Sequence, residues 1–491
     1  MPPSFAHFPT HMPEQISDLA IIGGGFAGAV TAIKLLRAVA AEGGQAPLSI
    51  RIIESRAEVG RGIAYSTDND EHIVNGPAQL FGLYPERPAH LTEWLAANAA
   101  RHGWTPPPGV DFAEAFPPRR VYGSYVQEEL AQALRDAGPA ASVEYVHGRA
   151  LDLHTAGHGY DITLEDGRRL AASRVVLALG LFRNAGESFL SPAQRAALGR
   201  RYIDDVWNAH AWKDVRHEQD ILIIGSSLTA LDAAFNAQRA GFGGRFHALS
   251  RRGLLVQPRR QLAPWPDVLD GKRLPDTLRG LLQATRAARR AVKAAGADWQ
   301  QLPPAIRPHV PALWDKASNA DRKRFLRHIR PFWEISLHRA GPESGKQLDR
   351  LLAEGRLNRL AGRIRALRPA GDKVAVDWSP RGEDGVRTLL VDRVANAAGY
   401  EFDWLRIDDP LVRNLLARKL VRPHATGFGI DADPATGAVL APGVSQPGSL
   451  FAVGHPLRGA VWESNSIAEQ VAGAGNTALA LAVTLQAVET L

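Results

Sequence analysis

One short pattern occurs twice in this chain and constrains its fold more than any other feature: an apolar run, a glycine-rich turn and a helical stretch. In the first copy, residues 18–22 lead into residues 23–28, which fit G-x-G-x-x-G through Gly23, Gly25 and Gly28. The first glycine of this motif permits a tight turn, the second lets the backbone approach a pyrophosphate, and the third lets helix and strand pack closely. N–H groups at the helix start bind the anion. The first copy therefore predicts a dinucleotide-binding turn.

An acidic residue follows the next apolar run. Residues 48–53 are typical of a second strand, and Glu54 comes directly after them, 26 residues beyond Gly28. An acid at this place bonds a ribose hydroxyl of the nucleotide in such folds. Because strand, turn, helix, strand and acid occur in this order, the sequence predicts a nucleotide site and not merely a glycine-rich turn.

The second copy has small residues where the first has glycines. Residues 220–224 lead into Gly225, Ser227 and Ala230, a G-x-S-x-x-A turn that still allows close backbone approach. After the next strand, Arg251 and Arg252 replace the acid of the first copy. Two cations at the ribose position suit a 2′-phosphate and favour NADPH over NADH. A pair of solvated surface arginines is the alternative, and it stays open.

Further strands indicate how the chain leaves and re-enters these two sheets. Residues 160–164 and Leu170 flank a turn typical of a hairpin. Residues 175–180 and 392–399 are apolar strands ending in glycine, as expected where a chain returns to a dinucleotide-binding sheet. The fold class is therefore α/β, with two Rossmann-like dinucleotide-binding domains and a helical insertion. The predicted parts are a flexible leader (1–17), a first dinucleotide-binding domain (18–200 plus 385–491) and a second dinucleotide-binding domain (201–384) that includes helices at about 270–355.

Composition excludes several classes of protein. The chain has no cysteine, so it has no disulfide, thiolate metal site, Fe–S cluster or redox dithiol. No apolar run approaches the ~18 residues of a membrane helix. The first basic residue is Lys34, so a secretory or transit signal is not indicated. We expect a cytoplasmic protein without a metal site or a membrane partner.

The net charge of +7 is concentrated in one segment. Residues 250–300 contain eleven Lys or Arg and four Asp, which equals the excess of the whole chain. A nucleic-acid interface would add interleaved aromatic residues or a known reading motif, and neither occurs there. We therefore expect no nucleic-acid partner, and we interpret the basic helix of this segment as a solvated face.

Several sequence blocks resemble the flavoproteins with two dinucleotide-binding domains. More closely, they resemble the bacterial FAD/NAD(P)-binding proteins related to flavin-containing and N-hydroxylating monooxygenases. The resemblance covers about residues 18 to 475. The blocks that carry it are residues 60–67, 72–78, 118–125, 224–232, 250–253, 324–328 and 451–463.

The resemblance implies that the first turn holds FAD and the second receives NADPH, with NADH as an alternative. It also implies that Asn75 lies against the isoalloxazine and that residues near 450–453 and 465–466 reach the pyrimidine end of the flavin. Two departures from the family pattern are His455, where many flavoproteins have Asp, and residues 256–260. The residues expected to bind FAD are Gly23, Gly25, Phe26, Ala27, Gly28, Glu54, Ser55, Gly62, Asn75, Gly454, Asn465 and Ser466. Those expected to bind NADPH are Gly225, Ser226, Ser227, Ser250, Arg251 and Arg252.

Five residues are candidates for positions near the reacting flavin atom: His72, Asn75, His455, Trp462 and Glu463. Glu463 is a candidate base or amine anchor, and its alternative is an acid that stabilises a helix start. For the two histidines the alternative is a structural role. The aromatic segment 207–212 matches a monooxygenase fingerprint only loosely, so we expect it to pack.

The function implied is that of an FAD-dependent NAD(P)H oxidoreductase. Disulfide and persulfide reductases need a thiol beside the flavin, which this chain lacks. Residues 476–491 contain no Lys or Arg to bind anionic lipid, so a membrane quinone reductase is disfavoured. Dioxygen then remains, and we expect a monooxygenase that forms a C4a-(hydro)peroxyflavin and oxidises a small amine or hydroxylamine-type substrate. A flavin reductase or oxidase that produces hydrogen peroxide, and a nucleotide-binding protein without turnover, are the alternatives. A homodimer is compatible with each of these.

Overall fold

The computed structural model describes residues 16–42, 47–157, 159–184, 189–269, 271–444 and 446–489. Most of the predicted leader, residues 1–15, lies outside the described residues. Ser17 belongs to the first strand and is buried, so the last residue of the predicted leader is part of the sheet.

Strands and helices alternate along much of the chain. In chain order the strands are β1 (Ser17–Ile22), β2 (Leu48–Glu54), β3 (Ala141–His147), β4 (Ala150–Ala156), β5 (Gly159–Leu164), β6 (Arg169–Leu177), β7 (Phe182–Arg183), β8 (Tyr202–Ile203), β9 (Asp220–Ile224), β10 (Arg245–Ser250), β11 (Leu357–Ala370), β12 (Lys373–Pro380), β13 (Arg387–Val391), β14 (Arg393–Asn396), β15 (Tyr400–Glu401) and β16 (Leu450–Ala452). The helices are α1 (Phe26–Glu42), α2 (His90–Asn98), α3 (Arg119–Ala137), α4 (Pro192–Leu198), α5 (Leu228–Arg239), α6 (Leu278–Ala294), α7 (Leu302–Ile306), α8 (Val310–Lys316), α9 (Asn319–His328), α10 (Arg330–Leu337), α11 (Pro342–Ala353), α12 (Pro410–Ala417) and α13 (Ile467–Glu489).

The first of two compact units comprises Met1–Gly62, Val126–Gly180 and Asp403–Leu491. Its sheet has the order β3-β2-β1-β6-β5-β4, and β16 pairs with β6. β1 is parallel to both β2 and β6, and residues 19–22 are almost fully buried because a parallel sheet is covered on both faces. The predicted hairpin is confirmed by the antiparallel pair β5 and β6, and the predicted return of residues 175–180 is confirmed by β6.

The second unit comprises Ile63–Tyr125 and Leu181–Phe402. Its main sheet has the order β13-β12-β11-β10-β9-β14-β8, in which β9 is parallel to β10 and β14. β14 thus confirms the predicted return of the chain near residues 392–399. Its buried core includes Trp212, Phe235 and Phe246. Helices α6 to α11 occupy the stretch for which the sequence predicts a helical insertion.

The two units divide the chain differently from the predicted domain ranges. Residues 63–125 belong to the second unit, whereas the prediction counts them with the FAD-binding domain. Within the second unit, the Arg119 guanidinium makes an ion pair with Asp232 of α5 at 2.7 Å, which fixes this segment beside the β9–α5 turn. The nucleotide bound by each predicted domain stays a prediction.

The α/β fold class predicted from the sequence is confirmed, since each unit contains a mixed sheet built on a parallel centre. Within the described ranges, no helix combines the length and the apolar character needed to cross a membrane.

Candidate functional site

The turn between β1 and α1 has the geometry that its glycines predict. Gly23 has a φ of +106°, and a Cβ there would lie 2.2 Å from the carbonyl oxygen of Ala178. A Cβ on Gly28 would lie 2.0 Å from the carbonyl oxygen of Gly23. Both positions therefore require glycine, and together they place the start of α1 directly at the carboxyl end of the strand.

A second loop lies beside this turn in the first unit. The backbone N–H of Gly60 donates to the Gly24 carbonyl at 2.7 Å, and Gln127 Nε2 donates to the Val59 carbonyl at 2.9 Å. A Cβ on Gly25 would lie 3.3 Å from the Cα of Gly62. The first N–H groups of a helix have no partner within the helix, so α1 adds positive potential here. The side-chain-free backbone at Gly25 and Gly62 and the N–H groups at the start of α1 together suit a pyrophosphate.

Glu54 ends β2 next to this turn. Its Oε1 accepts from the Arg56 N–H at 2.9 Å and from the Ser55 hydroxyl at 3.3 Å. No described residue donates to the other carboxylate oxygen. A Cβ on Gly24 would lie 2.9 Å from the Cβ of Glu54, so the acid adjoins the glycine turn. This carboxylate has the position expected for a bond to a ribose hydroxyl.

The segment that precedes α13 also approaches the first turn. A Cβ on Gly454 would lie 3.1 Å from the Cβ of Ala27. Further along, the Ser464 hydroxyl and Asn465 Oδ1 are buried without a hydrogen-bond partner in the described structure. Unsatisfied buried polar groups are costly and rare, so these atoms indicate a ligand that supplies their partners. Sequence reasoning found Asn465 and missed Ser464, whose residue type carries no signal outside a motif.

Glu463 and Ser466 shape the backbone of this segment. Glu463 is buried and has a φ of +75°, in the left-handed region that favours glycine. The Ser466 N–H donates to the Glu463 carbonyl at 2.8 Å, just before α13 begins. Strained non-glycine residues of this kind concentrate at functional sites. The predicted roles of both residues stay predictions.

His455 and Trp462 both interact with Arg458. The Arg458 guanidinium carbon is 4.8 Å from the centre of the Trp462 ring, and Trp462 is almost fully buried. Burial and the positive charge of Arg458 lower the pKa of His455 to about 3. His455 is therefore a neutral imidazole at neutral pH and cannot act there as a cationic proton donor.

We expect the His455 imidazole to stay neutral down to about pH 4 in an NMR titration. Because its pKa in the folded protein lies below the unfolded value, its contribution to stability is complete above about pH 6.5 and is lost as the pH falls towards 3. A His455 midpoint above about pH 5 would contradict the burial seen here.

The surroundings of His72 support the alternative of a structural role. It is fully buried in the second unit, and its Nδ1 is 2.7 Å from the Thr67 hydroxyl. Its Nε2 is 3.1 Å from the backbone carbonyl of Asp232. Burial also lowers the pKa of His72. Because both ring nitrogens are used within the protein, we assign His72 a structural role in holding residues 63–125 to α5.

Asn75 has a different environment. Its backbone carbonyl accepts from Arg259 Nη1 at 3.3 Å, but its partly buried side-chain amide bonds to no residue that the structure describes. The amide is thus available to a ligand. The five candidate residues fall in both units: His72 and Asn75 belong to the second, and His455, Trp462 and Glu463 belong to the first.

The turn between β9 and α5 repeats the geometry of the first turn. Gly225 has a φ of +123°, and a Cβ there would lie 2.2 Å from the carbonyl oxygen of Ala397. The Ser226 hydroxyl is 2.8 Å from that of Ser250, which in turn accepts from the Gly253 N–H at 3.1 Å. The side chains of Ser226 and Ser250 thus brace the turn, while that of Ser227 is exposed at the start of α5.

Arginines converge after the second turn. Desolvation and the positive charges of Arg330, Arg252 and Arg363 all lower the pKa of Arg251. The Arg252 guanidinium also lies over the Phe332 ring, 5.5 Å from its centre. Mutual repulsion of this kind is relieved by a dianionic ligand such as a phosphate. The sequence indicated Arg251 and Arg252 but not Arg330 and Arg363, which come from α10 and β11.

Comparisons with known proteins agree with this geometry. A family model described as FAD-NAD(P)-binding matches residues 20–182. No curated protein matches the chain in sequence.

Within the part of the chain that the structure describes, no group of three or more His, Asp or Glu is arranged to hold a metal ion.

Solved structures match almost the whole chain at low identity. An ornithine N-hydroxylase from Kutzneria sp. 744, with reduced FAD, NADP+ and L-ornithine in its description, has a TM-score of 0.61 at 13% identity, covering 97% of this chain and 100% of that one. L-lysine 6-monooxygenase from Pseudomonas syringae has a TM-score of 0.62 at 17% identity, covering 95% and 99%. A bacillithiol disulfide reductase from Staphylococcus aureus has a TM-score of 0.52 at 15% identity, covering 96% and 100%.

At these identities the likeness shows the fold. The resemblance to flavoproteins with two dinucleotide-binding domains is therefore confirmed for the fold, and over residues 20–182 for an FAD-NAD(P)-binding family. Oxygen-inserting and disulfide-reducing proteins share this fold, so the chemistry has to be argued from the residues of this chain.

Proposed function

We propose that this chain is an FAD-dependent oxidoreductase that uses NADPH. The observation that carries the proposal is the electrostatic contrast between two similar turns. A carboxylate, Glu54, adjoins the first turn, whereas Arg251 and Arg252 follow the second and interact with two further arginines. A ribose hydroxyl suits the first environment, and a 2′-phosphate suits the second. NADH remains the alternative donor.

The residues of the first unit fit FAD. Bare backbone at Gly25 and Gly62 would face the pyrophosphate, and Glu54 would accept from the ribose. Ser464 and Asn465 offer buried polar atoms that need partners. When bound, FAD supplies the acceptor for a hydride from the nicotinamide and passes the electrons onward. His455 adds a neutral imidazole ring beside this segment.

We further propose that the electrons reach dioxygen and that the enzyme is a monooxygenase of a small nitrogen-containing substrate. The lack of cysteine supports this proposal, because a flavin-adjacent thiol for disulfide reduction is missing from the chain. Similarity in fold to ornithine and lysine monooxygenases supports an amine or hydroxylamine-type substrate. The buried carboxylate of Glu463 is the group we propose as base or as anchor for the nitrogen.

The test uses the full chain loaded with FAD. NADPH should bleach the flavin absorbance, and air should restore it. With a panel of small amines under 18O-labelled dioxygen, a product that contains label would establish oxygen insertion. NADPH oxidation that yields only hydrogen peroxide across the panel would favour the oxidase alternative. A protein that binds both nucleotides but does not oxidise NADPH would be a nucleotide-binding protein instead.

Asn75→Ala should separate flavin reduction from oxygen insertion. The Asn75 amide has no partner among the described residues, and we propose that it would donate a hydrogen bond to the oxygen that reacts when FAD is bound. NADPH should reduce the variant's flavin at a near-normal rate, but most electrons should appear as hydrogen peroxide. Stopped-flow reduction and peroxide yield are the measurements. The exposed Asn319→Ala is the matched control, and an unchanged peroxide yield in Asn75→Ala would exclude this role.

A further inference from the structure

Two arginines of the second unit extend from adjacent backbone segments. Arg259 lies in the loop that follows β10, and Arg339 follows α10. The Arg259 N–H donates to the Ala340 carbonyl at 2.8 Å, and the Ala340 N–H donates to the Gln257 carbonyl at 3.0 Å. Although the two arginines are far apart in the sequence, these bonds hold the two backbone segments that carry them next to each other.

Neither arginine makes an ion pair with any residue in the described ranges. Arg339 is only 4% exposed, and its Nε is buried without a hydrogen-bond partner. Its Nη1 donates to Gln300 Oε1 at 2.8 Å, a neutral acceptor. Among the described residues, the Arg259 side chain donates only to a backbone carbonyl, that of Asn75. Two guanidinium groups are therefore desolvated without an anion that is hydrogen-bonded to them.

The Asp298 carboxylate attracts Arg339 and raises its pKa, but the arginine to which it is hydrogen-bonded is Arg260. Asp298 pairs with Arg260, whose Nη2 donates to its Oδ1 at 2.9 Å. Burial, and then the charges of Arg259 and Arg260, lower the pKa of Arg339 to about 10. Burial also lowers the pKa of Arg259. Removing charges from water without a hydrogen-bonded counter-charge costs free energy, and no contact within the described residues offsets this cost for the two arginines.

The surroundings hold the pair in place. Gln300 is buried, and its Oε1 accepts from both the Arg260 N–H, at 3.0 Å, and Arg339. Its Nε2 donates to the Pro258 carbonyl at 2.9 Å. A Cβ on Gly341 would lie 2.6 Å from Ile73 Cδ1, so this segment packs against the one that carries Asn75. The arginines are thus preorganised beside an amide that is itself available.

We propose that Arg259 and Arg339 form a binding site for a compact oxyanion, a carboxylate or phosphate group, beside Asn75. Guanidinium groups bind such anions through paired, charge-assisted hydrogen bonds, and the buried Nε of Arg339 supplies a donor that now lacks an acceptor. The anion would be either free in solution or one end of a larger ligand. The site uses other residues than the arginines assigned to NADPH, and it goes beyond the proposed function.

The test must separate this site from the arginines after the second turn, because phosphate would bind there too. The host is therefore the full-length Arg251→Ala/Arg252→Ala protein, titrated calorimetrically with inorganic phosphate and with acetate. We expect the host to bind both anions. Adding Arg339→Gln or Arg259→Gln should weaken binding roughly tenfold or more, as expected for the loss of a charge-assisted bond. Adding Arg289→Gln, an exposed arginine of α6, should change nothing.

Two results would overturn the proposal: a host that binds neither anion, or equal binding by the host and both site variants. Circular dichroism checks the fold of each variant, and because two different arginines are tested, one unfolded variant does not remove the test. Comparison of acetate with valerate distinguishes the source of the anion. Similar affinities indicate a free anion, whereas tighter valerate binding, lost in Arg339→Gln, indicates the anionic end of a longer ligand.

Discussion

Replacing Gly25 by valine should give a folded protein that purifies without FAD. A Cβ at this position would meet only backbone atoms of Gly62, of which the Cα is nearest at 3.3 Å, so the protein itself can accommodate the side chain with a small shift. The branched side chain would then occupy the space in which the backbone approaches the pyrophosphate. Flavin absorbance of the purified protein, together with its circular dichroism and melting temperature, is the measurement.

Two other glycines make this experiment specific. Gly28→Val should fail for a different reason, since its Cβ would lie 2.0 Å from the Gly23 carbonyl oxygen and the turn itself would have to open. Gly243→Val is the matched control, because no atom lies within 4 Å of a Cβ there. It should keep its flavin. A folded Gly25→Val protein with full yellow colour would show that this turn does not hold FAD.

Removing Arg251 and Arg252 together should raise the KM for NADPH by roughly 100-fold or more and that for NADH only slightly. Each lost charge-assisted bond to the 2′-phosphate is worth about 1.5–3 kcal/mol, and every 1.4 kcal/mol corresponds to about tenfold. NADH lacks the 2′-phosphate, so it should be nearly unaffected. Arg330 and Arg363 remain in the variant and attenuate the loss.

The matched control for this prediction removes the same charge elsewhere in the second unit. Arg286 and Arg289 lie exposed on α6, and Arg286→Ala/Arg289→Ala should leave both KM values unchanged. Steady-state kinetics with each nucleotide give the comparison. Equal losses for NADPH and NADH in the double variant would mean that these arginines do not select the 2′-phosphate.

The two nucleotide-type turns were predictable because their signals are local. A glycine that must adopt positive φ beside a strand leaves a trace in the sequence itself, as at Gly23 and Gly225. Apolar runs likewise indicated β6 and β14 as strands of the two sheets. In these places the backbone geometry of a few neighbouring residues dictates the residue type, so a single sequence is enough to predict the turn.

The arginine sites were only half predictable because their other members come from distant parts of the chain. Arg330 and Arg363 interact with Arg251 although they belong to α10 and β11. Arg259 and Arg339 are adjacent only because two loops bond to each other. A sequence pattern records neighbours along the chain, whereas these groups are brought together by tertiary packing of the helical insertion.

His72 shows a different limit of the sequence. Its position next to a block expected at the flavin indicated a candidate catalytic group, whereas burial and two internal hydrogen bonds support the structural alternative. The residue type alone does not distinguish a catalytic histidine from a structural one. Only the partners of its ring nitrogens distinguish them, and those are residues 67 and 232.

The discontinuity of the first unit determines when it can fold during synthesis. β1, α1 and β2 emerge from the ribosome early, but β16 and α13, which complete the sheet and pack on α1, come from residues after 449. The whole second unit, Ile63–Tyr125 and Leu181–Phe402, is made in the interval between β2 and β16. The nascent chain must therefore keep the apolar face of α1 from aggregating until translation has passed the second unit, which makes slow or stalled translation after residue 402 a specific hazard for this protein.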